Sequence, residues 1–159
     1  MIKEGDFLPK INLRSVAEDG VKNFSLHDNF IKKKILIICV PGAFTSTCHN
    51  QHLPPFIKGA NTLINEKNID QICCITTNDP FVLEIWRESF GDTNITFLSD
   101  GNLEFLKRTQ LIRNHEKSFM GERLIRSVLL VDNLKVIKII CENPGKLEKT
   151  SFESILNTI

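Results

Sequence analysis

The chain has 159 residues, of which 42% are hydrophobic and 25% are charged, and its formal net charge at pH 7 is +1. This length suits one domain with a substantial core, so we predict a single domain over residues 1–159. The near-zero charge provides no strong field for nucleic acid or an anionic membrane, and no apolar run approaches the ~20 residues of a membrane span.

Five cysteines are present, and their odd number and irregular spacing differ from those of a disulfide framework. Residues 1–6 contain neither an apolar secretion signal nor an arginine-rich targeting segment. We therefore expect a reducing, cytoplasmic location, in which some cysteines are buried and one can be reactive.

The first predicted elements are a hairpin and a buried strand. Apolar and polar residues alternate over residues 11–13 and 21–24, with the turn sequence Glu18-Asp19-Gly20 between them. Residues 35–40 are continuously apolar and rich in β-branched side chains, and they stop at Pro41-Gly42. This run favours a central strand that is buried on both faces.

A helix, a strand and a second helix follow. The helical pattern over residues 46–66 contains Pro54-Pro55, where we expect a kink. Residues 69–76 predict another buried strand, after which Asn78 or Asp79 can cap a helix. Apolar residues recur at helical spacing along that helix: Phe81, Val82, Ile85, Trp86 and Phe90.

The remaining elements complete an α/β pattern. Residues 95–98 predict a strand and residues 103–107 a short helix, and after a polar loop residues 125–131 and 136–141 predict a hairpin. A final amphipathic helix is expected over residues 147–156. Right-handed crossovers make the first strands parallel, and the hairpin adds an antiparallel edge. The predicted fold is therefore thioredoxin-like, a mixed central sheet with helices on both faces and an N-terminal hairpin extension.

The densest chemistry lies directly after the first buried strand, in VPGAFTSTCHNQHLPPF at residues 40–56. In an open α/β sheet, ligands bind at the carboxyl ends of strands. If Thr45 is the helix cap, Cys48 lies in the first turn, where free amides and the helix dipole favour a thiolate. Cys48 is thus the candidate nucleophile. Three other cysteines lie in apolar strands and are expected to be small buried side chains: Cys39, Cys73 and Cys141.

A metal site is a competing interpretation of the same stretch. Cys48 and His52 share a helix face, but two ligands are too few for a closed zinc site, and His27 or His115 would have to come from elsewhere. No cofactor fingerprint appears. We predict no metal and no cofactor, a bracing hydrogen bond from His52, and an exposed His49.

Residues 41–56, PGAFTSTCHNQHLPPF, closely resemble the active-site signature of the peroxiredoxins. The version is that of the subfamily comprising peroxiredoxin five and the plant type II enzymes. Three more stretches resemble that subfamily: TTNDPFVLEIW at 76–86, FLSDGNLEF at 97–105 and MGERLIRSVLLVDN at 120–133. The resemblance implies a thiol peroxidase that reduces hydrogen peroxide and organic hydroperoxides.

The resemblance also implies roles for individual residues. Cys48 attacks the peroxide and becomes a sulfenic acid. Thr45 hydrogen-bonds the thiolate and the peroxide, Arg126 keeps the thiolate anionic and stabilises the departing oxygen, and Pro41 shields the site from water. The interpretation requires that Cys48 is open to solvent and that Arg126 lies beside it.

Some positions depart from the family pattern or carry a looser assignment. Ser46 stands where the family commonly has proline, which we expect to alter stiffness more than chemistry. Ser127 stands where tyrosine or phenylalanine is common, and it widens the pocket or alters dimer packing. Arg123 supports the site or pairs with an acid such as Glu84.

The reductant that restores the thiol is less determined by the sequence. No cysteine follows Cys141, and Cys74 aligns with the second cysteine of the plant enzymes. A strand-buried Cys74 would need local unfolding to reach Cys48. We favour a one-cysteine cycle, with reduction by glutathione and glutaredoxin or by thioredoxin, over an internal bridge to Cys74.

Two other functions can use the same site. A dithiol–disulfide oxidoreductase needs a C-x-x-C motif, but residues 49–51 after Cys48 contain no cysteine. A redox-signalling relay or a chaperone-like holdase needs no further motif. The resemblance also implies a homodimer, for which Phe44, Pro80 and Phe81 are contacts or, alternatively, core residues.

Overall fold

A seven-stranded mixed sheet forms the centre of the computed structural model, which describes residues 1–159. A separate two-stranded sheet is formed by β6 (Ile112–Asn114) and β7 (Glu122–Leu124). The strands of the large sheet are β1 (Asn12–Ala17), β2 (Gly20–Ser25), β3 (Lys34–Cys39), β4 (Gln71–Thr76), β5 (Ile95–Ser99), β8 (Ser127–Asp132) and β9 (Lys135–Cys141). Their order across the sheet is β2-β1-β5-β4-β3-β8-β9.

The strand directions follow the connections between them. Strands β3, β4 and β5 are parallel because helices cross between them, whereas β8 pairs antiparallel with both β3 and β9. The hairpin of β1 and β2 adds to β5 in antiparallel register. The thioredoxin-like plan, with its mixed sheet and N-terminal hairpin, is confirmed.

Five α-helices cover the two faces of the sheet, and each face has its own apolar core. The helices are α1 (Leu26–Phe30), α2 (Leu53–Lys67), α3 (Pro80–Glu88), α4 (Glu104–Thr109) and α5 (Phe152–Thr158). Helices α1 and α4 supply buried residues to one core, and α2, α3 and α5 supply them to the other. The neighbours Cys73 and Cys74 point into opposite cores, as the alternation of a strand requires.

The helix predicted over residues 46–66 contains an irregular turn directly before its two prolines. The chain is helical from Ser46, and the segment Cys48–His52 widens into a π-turn in which the Leu53 amide donates to the Cys48 carbonyl. Proline rings crowd the carbonyls four residues earlier in a regular helix. A wider turn relieves that crowding, so the distortion precedes Pro54 and Pro55.

Three predictions need correction. The last helix begins at Phe152 and not near residue 147, because the preceding residues form a loop and Ser151 supplies the cap. The polar loop before β8 contains the short hairpin of β6 and β7. The apolar stripe of α3 is only partly buried, since Phe81 is 72% and Ile85 58% exposed while Trp86 is buried. No helix has the length and apolar character to cross a membrane.

Candidate active site

The candidate nucleophile lies at the start of the helix that follows β3. The first helical backbone bond runs from the His49 amide to the Thr45 carbonyl at 2.9 Å, which puts Cys48 in the first turn. No carbonyl or side chain accepts from the amides of Ser46, Thr47 or Cys48, so these donors are free. The turn before the helix is held by the loop that follows β4, since the Ala43 amide donates to Asn78 Oδ1 at 2.8 Å.

A guanidinium lies directly beside the Cys48 sulfur. Arg126 Nη2 is 3.4 Å from Cys48 Sγ, and the Arg126 residue is only 9% exposed. The fold explains this proximity, because Ser127 pairs with Cys39 in the antiparallel ladder of β3 and β8. Arg126, one residue earlier, therefore lies at the carboxyl end of β3. A buried cation at this position favours a negatively charged sulfur.

His52 connects Arg126 to the C-terminal part of the chain. Its Nδ1 is 2.9 Å from Arg126 Nη1, and its Nε2 is 2.9 Å from the Thr150 carbonyl. Because arginine only donates and a carbonyl only accepts, Nδ1 must accept and Nε2 must carry the proton. Burial, followed by the charge of Arg126, lowers the pKa of His52 to about 4, so the ring is neutral at pH 7.

A buried carboxylate holds the far end of this connection. The Glu142 carboxylate accepts from the Thr150 amide at 3.0 Å, the Thr150 hydroxyl at 3.1 Å and the Glu148 amide at 2.8 Å. Burial opposes the charge, but these backbone bonds outweigh it and lower the pKa of Glu142. The Glu142 amide in turn donates to the Arg126 carbonyl at 2.8 Å. Cys48, Arg126, His52, Thr150 and Glu142 thus form one polar network.

A cavity of about 180 Å³ opens beside Arg126. Its lining comprises Pro41, Thr45, Ser46, Thr47, Arg113, His115, Met120, Arg126, Asn143, Gly145 and Lys146. Cys48 itself has no exposed surface. Of the two requirements drawn from the sequence, a nearby Arg126 is met, while direct exposure of Cys48 is not, because its side chain belongs to the apolar core that α2, α3 and α5 cover.

Thr45 and Pro41 line the cavity, but neither touches the sulfur through a hydrogen bond. The Thr45 hydroxyl donates to the Gly42 carbonyl at 2.9 Å and not to Cys48. Arg123 does not pair with Glu84, so that alternative is wrong. Its Nε instead donates to the Met120 carbonyl at 2.7 Å, and its Nη1 lies 3.5 Å from the Pro41 carbonyl.

Two further expectations for single residues are wrong. His49 is half-buried and not exposed, because the Trp86 Nε1–H donates to its Nδ1 at 3.0 Å and the Phe44 ring stacks on it at 5.7 Å. Cys141 is half-buried, although an apolar strand suggested full burial. Phe44 and Phe81 are exposed, which excludes their alternative assignment to the core.

The other cysteines lack the features that surround Cys48. Cys74 is fully buried, and burial raises the pKa of its thiol well above the ordinary value. Burial likewise raises the pKa of Cys39 to about 12. No group of three or more His, Cys, Asp or Glu side chains is placed to hold a metal ion.

Glu142 and Thr150 are the site residues that sequence reasoning missed. Neither belongs to a recognisable motif, and Thr150 is 98 residues from His52 along the chain. The only signal in the sequence is the position of Glu142 directly after the last predicted strand, and this signal is weak.

Comparisons with known proteins identify the family. The family model described as Redoxin matches residues 3–156. Peroxiredoxin-2D from Arabidopsis thaliana is 36% identical over 99% of this chain and 98% of its own length.

Two solved structures are also similar. Reduced Prx3 in complex with H₂O₂ from Vibrio vulnificus is 33% identical with a TM-score of 0.92, over 99% of this chain and 98% of that one. The antioxidant protein of Plasmodium falciparum, described as a 1-Cys peroxiredoxin, is 30% identical with a TM-score of 0.92, over 97% of this chain and 96% of that one.

Proposed function

The chain belongs to the redoxin family and is a peroxiredoxin, a thiol peroxidase, and on that premise we propose that Cys48 is its peroxidatic cysteine. The observation that carries this assignment is the 3.4 Å contact between Arg126 Nη2 and Cys48 Sγ. Among the five cysteines, Cys48 alone combines a hydrogen-bonded guanidinium with the first turn of a helix.

In the proposed reaction, the Cys48 thiolate attacks one oxygen of the peroxide. An S–O bond forms while the O–O bond breaks, which leaves a sulfenic acid and a departing hydroxide or alkoxide that takes a proton. Arg126 and the free amides of the first turn are aimed where negative charge develops, which is electrostatic stabilisation of the transition state. Pro41 and Thr45 shape the approach from the cavity.

Burial of the sulfur limits the size of the substrate. We propose that the peroxide enters the 180 Å³ cavity and reaches Cys48 after a small displacement of Thr45 or Arg126. Hydrogen peroxide and organic hydroperoxides that present a slender –O–O–H end fit this route. Bulky alkylating reagents should react slowly with Cys48 of the reduced, folded protein, although hydrogen peroxide reacts fast.

For recycling we propose a one-cysteine cycle with glutathione and glutaredoxin or thioredoxin as the reductant. The support is the full burial of Cys74 in mid-strand, which raises the pKa of its thiol well above the ordinary value and makes it a poor nucleophile. The similar Plasmodium protein is described as a 1-Cys peroxiredoxin. Such a cycle needs a reducing compartment, for which we propose the cytoplasm.

We also propose that the chain forms a homodimer through the α3 apolar patch, defined as Phe44, Phe81, Val82 and Ile85. All four side chains are exposed, and contiguous exposed apolar surface marks interaction sites. Phe81→Glu should shift the protein to a smaller species in sedimentation velocity, whereas Phe119→Glu, a change at a fully exposed residue outside the patch, should not.

The decisive experiment follows oxidation of each cysteine. Reduced protein is mixed with equimolar hydrogen peroxide, and the mass of each cysteine-containing peptide is measured over time. We expect fast addition of one oxygen at Cys48, none in Cys48→Ser, and an unchanged rate in Cys141→Ser, which removes the half-buried thiol. Slow, unselective oxidation of several cysteines would exclude the assignment.

A further inference from the structure

The cavity beside Arg126 carries charge of one sign. Three of its eleven lining residues are cationic, Arg113, Arg126 and Lys146, and none is acidic. The chain as a whole is balanced, with 20 lysines and arginines against 19 acids. A larger cavity of about 430 Å³, at the carboxyl end of β5, mixes Arg14 with Asp100 and Glu104. The positive charge is therefore a local feature of the cavity beside the sulfur.

Two of these cations have donors to spare. Arg113 makes a single hydrogen bond, from Nη2 to the Glu142 carbonyl at 3.3 Å. Lys146 has only an exposed ion pair with Glu148 at 3.7 Å, and such surface pairs contribute little. Neither residue bonds to Cys48, so their charge is not needed at the sulfur itself. Both are available to a ligand that extends outward from it.

A neutral histidine in the same lining also lacks a partner. His115 Nε2 is buried without any hydrogen-bond partner. Burial, followed by the charges of Arg113, Arg123 and Arg126, lowers the pKa of His115. Buried polar atoms are rarely left unpaired in native proteins, and a bound ligand is one way to pair them. The unpaired nitrogen and the spare donors thus occur in one cavity.

We propose that Arg113, His115 and Lys146 form a carboxylate-binding subsite that orients a small, carboxylate-bearing thiol, such as glutathione, toward oxidised Cys48. This inference rests on the proposed function of Cys48. Hydrogen peroxide is neutral and carries no group for such a subsite. The cavity is also much larger than a single water molecule, which leaves room for the thiol end of a larger ligand.

The chemistry that the subsite serves is the reductive half of the cycle. The ligand thiolate attacks the sulfenic sulfur of Cys48, so an S–S bond forms, the S–O bond breaks and hydroxide leaves as water after taking a proton. A second thiol then attacks the mixed disulfide, which releases the Cys48 thiolate and a small-molecule disulfide. The subsite holds the first thiol's carboxylate while its sulfur reaches Cys48.

The test measures the two half-reactions separately in Lys146→Glu, with Lys107→Glu on α4 as the matched control. Protein oxidised by one equivalent of hydrogen peroxide is mixed with glutathione, with its diethyl ester or with 2-mercaptoethanol, and mixed-disulfide formation is followed by intact mass. We expect Lys146→Glu to slow the glutathione reaction about tenfold at low salt. The reaction of uncharged 2-mercaptoethanol should be unchanged, and that of the diethyl ester, which keeps only the ammonium of glutathione, should not be slowed. Lys107→Glu should resemble the unmodified chain with all three thiols.

Other outcomes would overturn the assignment. Equal slowing of all three thiols, or no slowing with glutathione, would exclude a carboxylate subsite for the reductant. The oxidative half is measured with linoleic acid hydroperoxide and its methyl ester. A charge effect confined to the free-acid hydroperoxide would assign the subsite to the peroxide substrate instead. Failure of the proposed function is distinguishable, because hydrogen peroxide would then leave Cys48 of the unmodified chain unoxidised.

Discussion

Cys48 and Cys74 are equally buried, yet their surroundings differ in charge. Both have no exposed surface, and both belong to the apolar core that α2, α3 and α5 cover. Cys48 has Arg126 Nη2 at 3.4 Å from its sulfur and lies in a helix's first turn. Cys74 lies in the middle of β4, between Ile38 and Phe97 of the neighbouring strands, where burial raises the pKa of its thiol. Depth in the protein therefore does not separate the two cysteines.

What separates them is a set of polar side chains that holds one cation in place. Arg126 is fixed by His52, His52 by Thr150, and Thr150 by the Glu142 carboxylate. A buried charge is costly unless such partners satisfy it. Cys48 is a candidate nucleophile because the chain supplies both a cation beside it and the residues that hold this cation, namely His52, Thr150 and Glu142. Cys74 has no comparable set of polar residues around it.

Removing the cation should have the largest effect on the reactivity of Cys48. In Arg126→Ala we expect the rate of Cys48 oxidation by hydrogen peroxide to fall by about 10²–10³, the usual cost of losing one transition-state donor. Arg126→Lys keeps the charge but not the fork of guanidinium donors, so its oxidation rate should lie between those of the unmodified chain and Arg126→Ala. Stopped-flow competition with a reference peroxidase gives the rates. The control is Arg108→Ala, at an exposed arginine of α4, and a loss of less than tenfold in Arg126→Ala would contradict the assigned role.

The buried His52 should lower the free energy of unfolding at acid pH. His52 has a pKa of about 4 when folded and about 6.5 when unfolded, so the unfolded chain binds the proton more tightly. Its contribution to the free energy of unfolding is complete above pH 6.5 and is lost as the pH falls toward 4. Between pH 7 and pH 5 the loss should be about 2 kcal/mol.

The measurement is urea unfolding followed by fluorescence of Trp86, the single tryptophan. Because carboxylates and His115 also titrate over this range, the comparison is with His52→Gln, which can accept from Arg126 and donate to Thr150 but cannot titrate. The chain with His52 should lose about 2 kcal/mol more than His52→Gln. Equal losses would mean that a neutral His52 is not what the network requires.

A change at the contact between α2 and α5 should have a smaller effect on stability. A Cβ at Gly59 of α2 would overlap the Phe152 ring at the start of α5. Overpacking costs about 1–3 kcal/mol, and the gain in helix propensity from glycine to alanine returns about 1 kcal/mol. Gly59→Ala should therefore lower the free energy of unfolding by about 1 kcal/mol and slow Cys48 oxidation slightly, because Thr150 lies two residues before α5.

The same experiment separates overlap from a simple change in the helix. The double variant Gly59→Ala, Phe152→Leu should lose less stability than the sum of the two single changes, since the smaller side chain makes room. Lys58→Ala, on the exposed side of the same helix, is the control. Additive losses would show that Gly59 and Phe152 do not interact.

The sequence predicts the elements around Cys48 better than it predicts the hydrogen bonds that hold Arg126 beside it. The strand before Pro41, the helix start at Ser46 and the placement of Cys73 and Cys74 on opposite faces follow from local periodicity. The bonds of His52 to Arg126 and Thr150 span 74 and 98 residues, so no local pattern contains them. The β6 and β7 strands have three residues each, too few to show alternation.

The exposed apolar stripe of α3 is another feature that local sequence patterns do not fully determine. Helical spacing of Phe81, Val82 and Ile85 identifies an apolar face, but it does not say whether the chain's own core or a partner covers it. Likewise, the full burial of Cys48 depends on the residues of several elements that form its core. Periodicity indicates which residues share a face, and only tertiary contacts decide what that face meets.

Cys74→Ala should have the smallest effect of these changes. Loss of a small buried group costs about 1 kcal/mol of stability, which urea unfolding can detect. Glutathione-supported turnover should stay within about twofold of the unmodified chain, because a thiol with a strongly raised pKa, buried in mid-strand, is a poor nucleophile. A collapse of turnover, together with an internal disulfide in the oxidised unmodified chain, would instead show that β4 opens during the cycle. In that case Cys74 would be a second redox cysteine, and the contrast with Cys48 would hold only for the reduced protein.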